Sequence, residues 1–306
     1  MNPFRLPGLT AAPFSPFRSD GSLNLDPVPA QAASLRASGV IGAFVCGTTG
    51  EGASLTTRER EALADAWVRA AGGLRIVVNV SAASGREAQR LAEHAARAGA
   101  DAISCTAPFY FRPAGVKELV TFLADVAAGA PATPFYFYDI PSTTGVLFPC
   151  GEVMRKCAEA IPNLAGVKFS NPDLHALQEC VAVGGDVLFG IDEYLLAALA
   201  LGATGAVGST YNLAAPLFLK MWQEYRAGDV VAARLTQAHA ARFIRILIDF
   251  GGIRAGKSAM RLLNIELGAV RSPLRPILAE EERTLHARLR AEAPALFTSA
   301  ASSPSA

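Results

Sequence analysis

Lys168 closes an apolar run, Leu164-Ala165-Gly166-Val167-Lys168-Phe169, of the kind that makes a buried strand. Burying an ammonium is costly, so such a lysine reaches water, finds a carboxylate or gives up its proton. In the last form it is a nucleophilic amine able to make a Schiff base with a ketone. The other reading is a strand-end lysine that snorkels to solvent. Tyr138 lies deep in the run Phe135 to Ile140. A buried phenol wants a hydrogen-bond partner and can carry protons to and from a reacting ketone; it can also be an ordinary core tyrosine. Gly47-Thr48-Thr49-Gly50-Glu51-Gly52 joins glycines that permit tight turns to hydroxyls and free N–H groups. Such a turn suits a small carboxylate, or simply caps the next helix. Gly190-Ile191-Asp192-Glu193 brings two acids that bind hydroxyls of a polyol or favour a helix start. Ser209-Thr210-Tyr211-Asn212 offers further hydroxyls, or a helix cap.

Each of these stretches follows an apolar run, and the runs alternate with amphipathic segments. Strands are expected at 8–14, 40–46, 74–80, 101–106, 135–140, 164–170, 187–191 and 203–208. The helices between and after them are expected at 29–37, 56–71, 84–98, 114–128, 151–160, 174–183, 194–201 and 215–225. Thr56 with Glu59 forms a capping box at one helix start, and Gly99 stops the next helix. Eight strand–helix pairs in about 225 residues match an α/β fold, the (β/α)8 TIM barrel. An open doubly wound sheet fits less well, because no G-x-G-x-x-G follows the first strand. The barrel is expected to span 1–227. A C-terminal helical extension follows over 228–298, with helices at 230–250, 257–263 and 280–292. The Ser/Ala/Pro-rich tail 299–306 is expected to be disordered. In such barrels the active site lies at the carboxyl ends of the strands, where the residues above all fall.

Composition narrows the function classes. The 306 residues are 51% hydrophobic with a formal net charge of +1, which argues against a nucleic-acid or polyanion surface. Met1 to Leu9 lack a basic region followed by an apolar one, so no secretory signal is expected. The uncharged stretch 194–219 is broken by Gly202, Gly205, Gly208, Asn212 and Pro216, and reads as helix, turn and strand rather than a membrane span. The five cysteines contain no C-x-x-C; neither disulfides nor zinc are indicated, and Cys46 and Cys105 read as small core residues of a cytoplasmic protein. His94, His175, His239 and His286 fall in expected helices without metal spacing. No P-loop or nucleophile elbow is present.

Three of these stretches together, Gly47-Thr48-Thr49-Gly50-Glu51, Tyr138-x-x-Pro141-x-x-Thr144-Gly145 and Gly166-Val167-Lys168, carry a resemblance. Over about residues 5 to 290 the chain resembles the N-acetylneuraminate lyase and dihydrodipicolinate synthase family of Schiff-base lyases and aldolases. Lys168-Phe169-Ser170, Phe189 to Glu193 and Gly202 to Asn212 are most similar to its sialic acid lyase branch. The resemblance implies Lys168 as the Schiff-base residue and Tyr138 as the proton-transfer residue. It implies Thr48 and Thr49 at the pyruvate carboxylate, and Ser170, Gly190, Asp192, Glu193 and Ser209 at the sugar end. Tyr110 resembles the interdigitating tyrosine of the synthase branch. Thr143 stands where that branch carries an arginine, which counts against synthase activity, and Asp139 stands where Asn or His is more usual. The implied substrate is a small 2-keto acid, cleaved without metal or cofactor by a cytoplasmic homotetramer that binds neither nucleic acid nor membrane. The alternatives are another pyruvate aldolase or dehydratase, and a non-catalytic pyruvate or sugar-acid sensor.

Overall fold

Short apolar runs buried on both faces can only pair in parallel when amphipathic helices cover their outer side. The computed structural model, which describes residues 1–297, realises this as a closed barrel of eight parallel strands in sequence order. In chain order the elements are β1 (Leu9–Ala11), α1 (Val28–Ala37), β2 (Gly42–Val45), α2 (Thr57–Ala70) and β3 (Arg75–Asn79). Next come α3 (Gly85–Ala98), β4 (Ala102–Thr106), α4 (Val116–Ala127), β5 (Phe135–Asp139), α5 (Pro141–Thr144) and α6 (Cys150–Ala160). Then follow β6 (Leu164–Phe169), α7 (Leu174–Val183), β7 (Asp186–Phe189), α8 (Leu195–Ala200), β8 (Gly205–Gly208) and α9 (Tyr211–Arg226). After the barrel come α10 (Val230–Asp249), α11 (Ile253–Ala259) and α12 (Ala279–Glu292). Thr10 pairs with Gly42 of β2 and Val207 of β8, which closes the ring.

Local chemistry sets most of these boundaries. The Thr56–Glu59 capping box starts α2, and Gly99 ends α3 at φ 91°. All four histidines lie on helices. Some boundaries differ from the sequence reading. The first strand keeps only Leu9–Ala11 of the expected 8–14, because the chain then turns into the barrel mouth. A helical turn, α5, follows β5 directly; Pro141 pre-sets its first position. The helix expected at 215–225 begins at Tyr211 and breaks at Ala214 (φ −129°), ahead of Pro216, which cannot donate a backbone hydrogen bond. The helix expected at 257–263 starts at Ile253, since Gly251 and Gly252 at positive φ turn the chain sharply after α10. The expectation for 299–306 lies outside the described residues. Among the described residues no helix is long and apolar enough to cross a membrane.

The core has two layers. Outward-facing strand residues such as Phe135, Phe137, Val167 and Phe169 pack under the helices. Inward-facing ones, including Phe44, Val77, Tyr136, Tyr138 and Leu188, fill the barrel. Tyr138 of β5 pairs in register with Lys168 of β6, which puts both side chains side by side on the inner face. Gly166 lets β6 and β7 meet: a Cβ there would stand 1.8 Å from Asp186 O. We expect Gly166→Ala to cost about 3 kcal/mol, measured by urea unfolding; wild-type stability would contradict the packing described here.

Candidate active site

Lys168 is 4% exposed although it ends its strand. Its Nζ lies 3.8 Å from the centre of the Phe44 ring and 4.0 Å from that of Tyr138. The amine is therefore set between aromatic faces instead of reaching water. Burial holds its pKa below the ordinary lysine value of 10.5, while Tyr138 and Asp192 partly offset that effect. The amine therefore gives up its proton more readily than a lysine in water. Tyr138 packs edge-on against Phe44 with ring centres 5.5 Å apart. Its Oη lies 3.3 Å from Thr48 Oγ1, joining β5 to the loop after β2.

That loop is built for its turn. Cys46 (φ 59°) and Glu51 (φ 52°) both adopt left-handed backbone, and the N–H groups of Glu51 and Gly52 donate to Thr48 O and Gly47 O, each at 3.1 Å. A Cβ on Gly52 would come 2.0 Å from Cys46 O, so the close approach needs glycine. Asn79 Nδ2 donates to Cys46 O at 3.0 Å, and Ser15 Oγ donates to Gly50 O at 2.5 Å. Thr48 faces the mouth and Thr49 is buried behind it.

Across the mouth, β6, β7 and β8 end in polar groups. Ser170 Oγ donates to Gly190 O at 3.4 Å, and a Cβ on Gly190 would stand 2.0 Å from that hydroxyl. Asp192 Oδ2 accepts from the Thr210 N–H at 3.1 Å, which ties β7 to β8. The Asp192 carboxylate lies over Gly208, where a Cβ would meet Oδ1 at 1.9 Å. Neither Asp192 Oδ1 nor the hydroxyl of nearby Tyr211 meets hydrogen-bond geometry with a partner, although the hydroxyl acts to lower the Asp192 pKa. Burial raises the pKa of Asp192, and burial followed by the Asp192 charge raises that of Glu193.

Lys168, Tyr138, Thr48 and Thr49 thus share one cavity of about 500 Å³ with Ser170, Gly190, Asp192, Glu193 and Ser209. Tyr110 is not among them; it is 75% exposed on the loop after β4, its ring 5.0 Å from that of Phe111. Among the described residues no group of three His, Cys, Asp or Glu side chains is placed to hold a metal ion. The sequence reading missed the far wall, where Ile244, Leu247 and Ile248 of α10 and Ile253 of α11 line the same cavity. It also missed the buried pair Glu51–Lys257. No local signal marks either, since both depend on where the C-terminal helices dock.

A closed parallel barrel with a desolvated lysine facing a polar mouth is a setting in which a side-chain amine can meet a small carbonyl substrate. Residues 5–292 match the model of the dihydrodipicolinate synthetase family. The N-acetylneuraminate lyase of Rattus norvegicus is 40% identical over 296 residues, covering 94% of this chain and 92% of the relative. The solved structure of Proteus mirabilis N-acetylneuraminate lyase is 40% identical with a TM-score of 0.91, over 94% of this chain and 98% of that one. A catalytic lysine mutant of Ruminococcus gnavus sialic acid aldolase is 26% identical with a TM-score of 0.89, over 95% of this chain and 98% of that one. The chain belongs to the dihydrodipicolinate synthetase family and is similar to N-acetylneuraminate lyases within it.

Asp139, next to Tyr138, points outward from the barrel. It accepts from Asn171 Nδ2 at 3.1 Å, and burial raises its pKa from 3.8 to about 6. The folded chain holds this proton more tightly than the unfolded one, so this group's contribution to stability falls as pH rises from about 4 to about 6. Asp139→Asn keeps the acceptor and removes the charge. We expect it to gain stability at pH 7.5 relative to wild type, by at most about 3 kcal/mol, and to lose that advantage at pH 4. Parallel stability–pH curves for the two chains would refute this.

Proposed function

We propose that this chain cleaves N-acetylneuraminate by a Schiff-base retro-aldol reaction to N-acetylmannosamine and pyruvate. The observation that carries the reading is the desolvated Lys168 amine beside Tyr138, facing the Thr48–Thr49 turn and the Asp192–Glu193 pair in one cavity. The lyases of similar sequence support the same reaction, and the catalytic lysine of the Ruminococcus gnavus enzyme supports Lys168.

In this reading the open-chain sugar acid places its carboxylate at the Thr48–Thr49 turn. The Lys168 amine attacks the C2 ketone, and loss of water gives the iminium. The C4 hydroxyl gives up its proton, the C3–C4 bond breaks, and its electron pair flows into the iminium to leave an enamine. The C4 end departs as the aldehyde of N-acetylmannosamine. The enamine takes a proton at C3, and water hydrolyses the iminium to release pyruvate and the free amine. Tyr138 is the proton carrier closest to the amine. Ser170, Gly190, Asp192, Glu193 and Ser209 bind the polyol end, and Asp192 Oδ1, still without a partner, is suited to accept from a sugar hydroxyl. The iminium itself withdraws the electrons, so the reading needs no metal or cofactor.

The barrel of residues 1–227 would carry this chemistry, and the helices beyond it would complete the mouth. We assign a homotetramer, supported by the exposed apolar cluster of Phe109, Tyr110 and Phe111, where Tyr110 would meet a second copy. The five free, buried cysteines suit a reducing compartment such as the cytoplasm. Incubation with N-acetylneuraminate should release pyruvate, and borohydride with pyruvate should fix a covalent adduct on Lys168. An adduct mapped elsewhere, or no pyruvate, would refute the reading. Tyr138→Phe should slow turnover about 100-fold or more while pyruvate trapping persists; wild-type turnover would remove the tyrosine from the mechanism.

A further inference from the structure

Glu51 presents an oddity. It holds left-handed backbone (φ 52°), which costs a non-glycine residue about 1 kcal/mol or more and which glycine would adopt freely. Its N–H closes the turn onto Thr48 O at 3.1 Å. The reason for a glutamate there lies far along the chain. Glu51 Oε1 accepts from Lys257 Nζ of α11 at 2.9 Å, and Oε2 accepts from the Arg271 N–H at 2.8 Å. Both ends of the ion pair are fully buried, with side chains 1% and 0% exposed, so neither charge reaches the cavity. Lys257 Nζ also donates to Ala269 O at 2.9 Å and lies 4.0 Å from the centre of the Phe17 ring. The Arg271 side chain in turn bonds Gly21 O, Ser54 O and Glu59.

A buried ion pair is poor evidence of simple stabilisation, because the desolvation of both charges offsets their attraction. What this one does is geometric. It pins the strained end of the Thr48–Thr49 turn to the same helix whose Ile253 and Gly256 line the mouth. Gly256 is itself held in place against Phe14, where a Cβ would come 2.6 Å from the ring.

We propose that Lys257 and Glu51 are positioning residues for the keto-acid carboxylate, holding the Thr48–Thr49 turn in its binding geometry through a buried ion pair between the barrel and α11. This rests on the reading that the turn binds that carboxylate. The appendage is then part of acid recognition, although its charges touch no substrate. Losing the pair leaves Lys168 and Tyr138 in place and loosens only the carboxylate's seat.

The test is borohydride trapping on Lys168 across pyruvate concentrations, in the wild-type chain, Lys257→Met, Glu51→Gln and the double variant, each checked for cooperative thermal unfolding. The half-saturating pyruvate concentration should rise about tenfold in each single variant. The double variant should rise no further, because one interaction is being removed twice. The trapping rate at saturation should stay near wild type. The double variant, which leaves no lone buried charge, keeps the test open where a single variant does not fold. A folded double variant with wild-type half-saturation overturns the proposal, and so does a lowered saturating rate at unchanged half-saturation. Loss of cooperative unfolding in the double variant assigns the pair to the fold at large and overturns it too. Absence of trapping in the wild-type chain sinks the Schiff-base reading on which the proposal rests, and that outcome is distinct from the others.

Discussion

The cost of keeping an amine away from water governs this structure. Lys168 stands on the inner face of a closed sheet, between the rings of Phe44 and Tyr138. An ammonium placed there would lose most of its hydration for modest attraction to two ring faces, so the proton is held weakly. A closed barrel supplies such a setting at a strand end, because its inward-facing side chains are walled in by the other strands. Gly166, two residues earlier, lets β7 come close enough to seal that wall.

The rest of the mouth is braced by bonds among its own polar groups, which leave part of their capacity open to the cavity. The turn after β2 is braced from behind by Asn79, Ser15 and Glu51 while Thr48 faces the cavity. Asp192 uses one oxygen to join β7 to β8 and keeps the other unpaired. Buried polar atoms seldom go without partners, and those that do mark places where a ligand or water completes the bonding. Strain follows the same logic: both left-handed non-glycine residues of the barrel mouth, Cys46 and Glu51, flank the turn that faces the amine.

How much of this could be read beforehand depended on distance along the chain. The alternation of apolar runs with amphipathic segments carries the barrel, because each strand–helix unit is a local pattern with its own caps, such as Thr56–Glu59 and Gly99. The nine residues gathered in the cavity were accessible for the same reason: each lies near or just after the carboxyl end of a strand, and parallel closure brings all those ends to one rim. Errors arose where local rules compete, as at Tyr211–Pro216, where a helical turn forms before the proline and then breaks. Tyr110 lies exposed on its loop, away from the amine in the single chain.

The order of types along the chain by itself determined the (β/α)8 architecture, the lysine at the end of the sixth strand and the polar residues around it. Periodicity and strand-end position are properties of short segments, and they survive without knowledge of contacts. Tertiary structure alone decided that Lys168 is desolvated, that Asp139 turns outward to Asn171, and that Lys257 meets Glu51 at a sequence separation of 206. Burial and ion pairing are sums over neighbours from several elements, and those neighbours are chosen only when the helices dock.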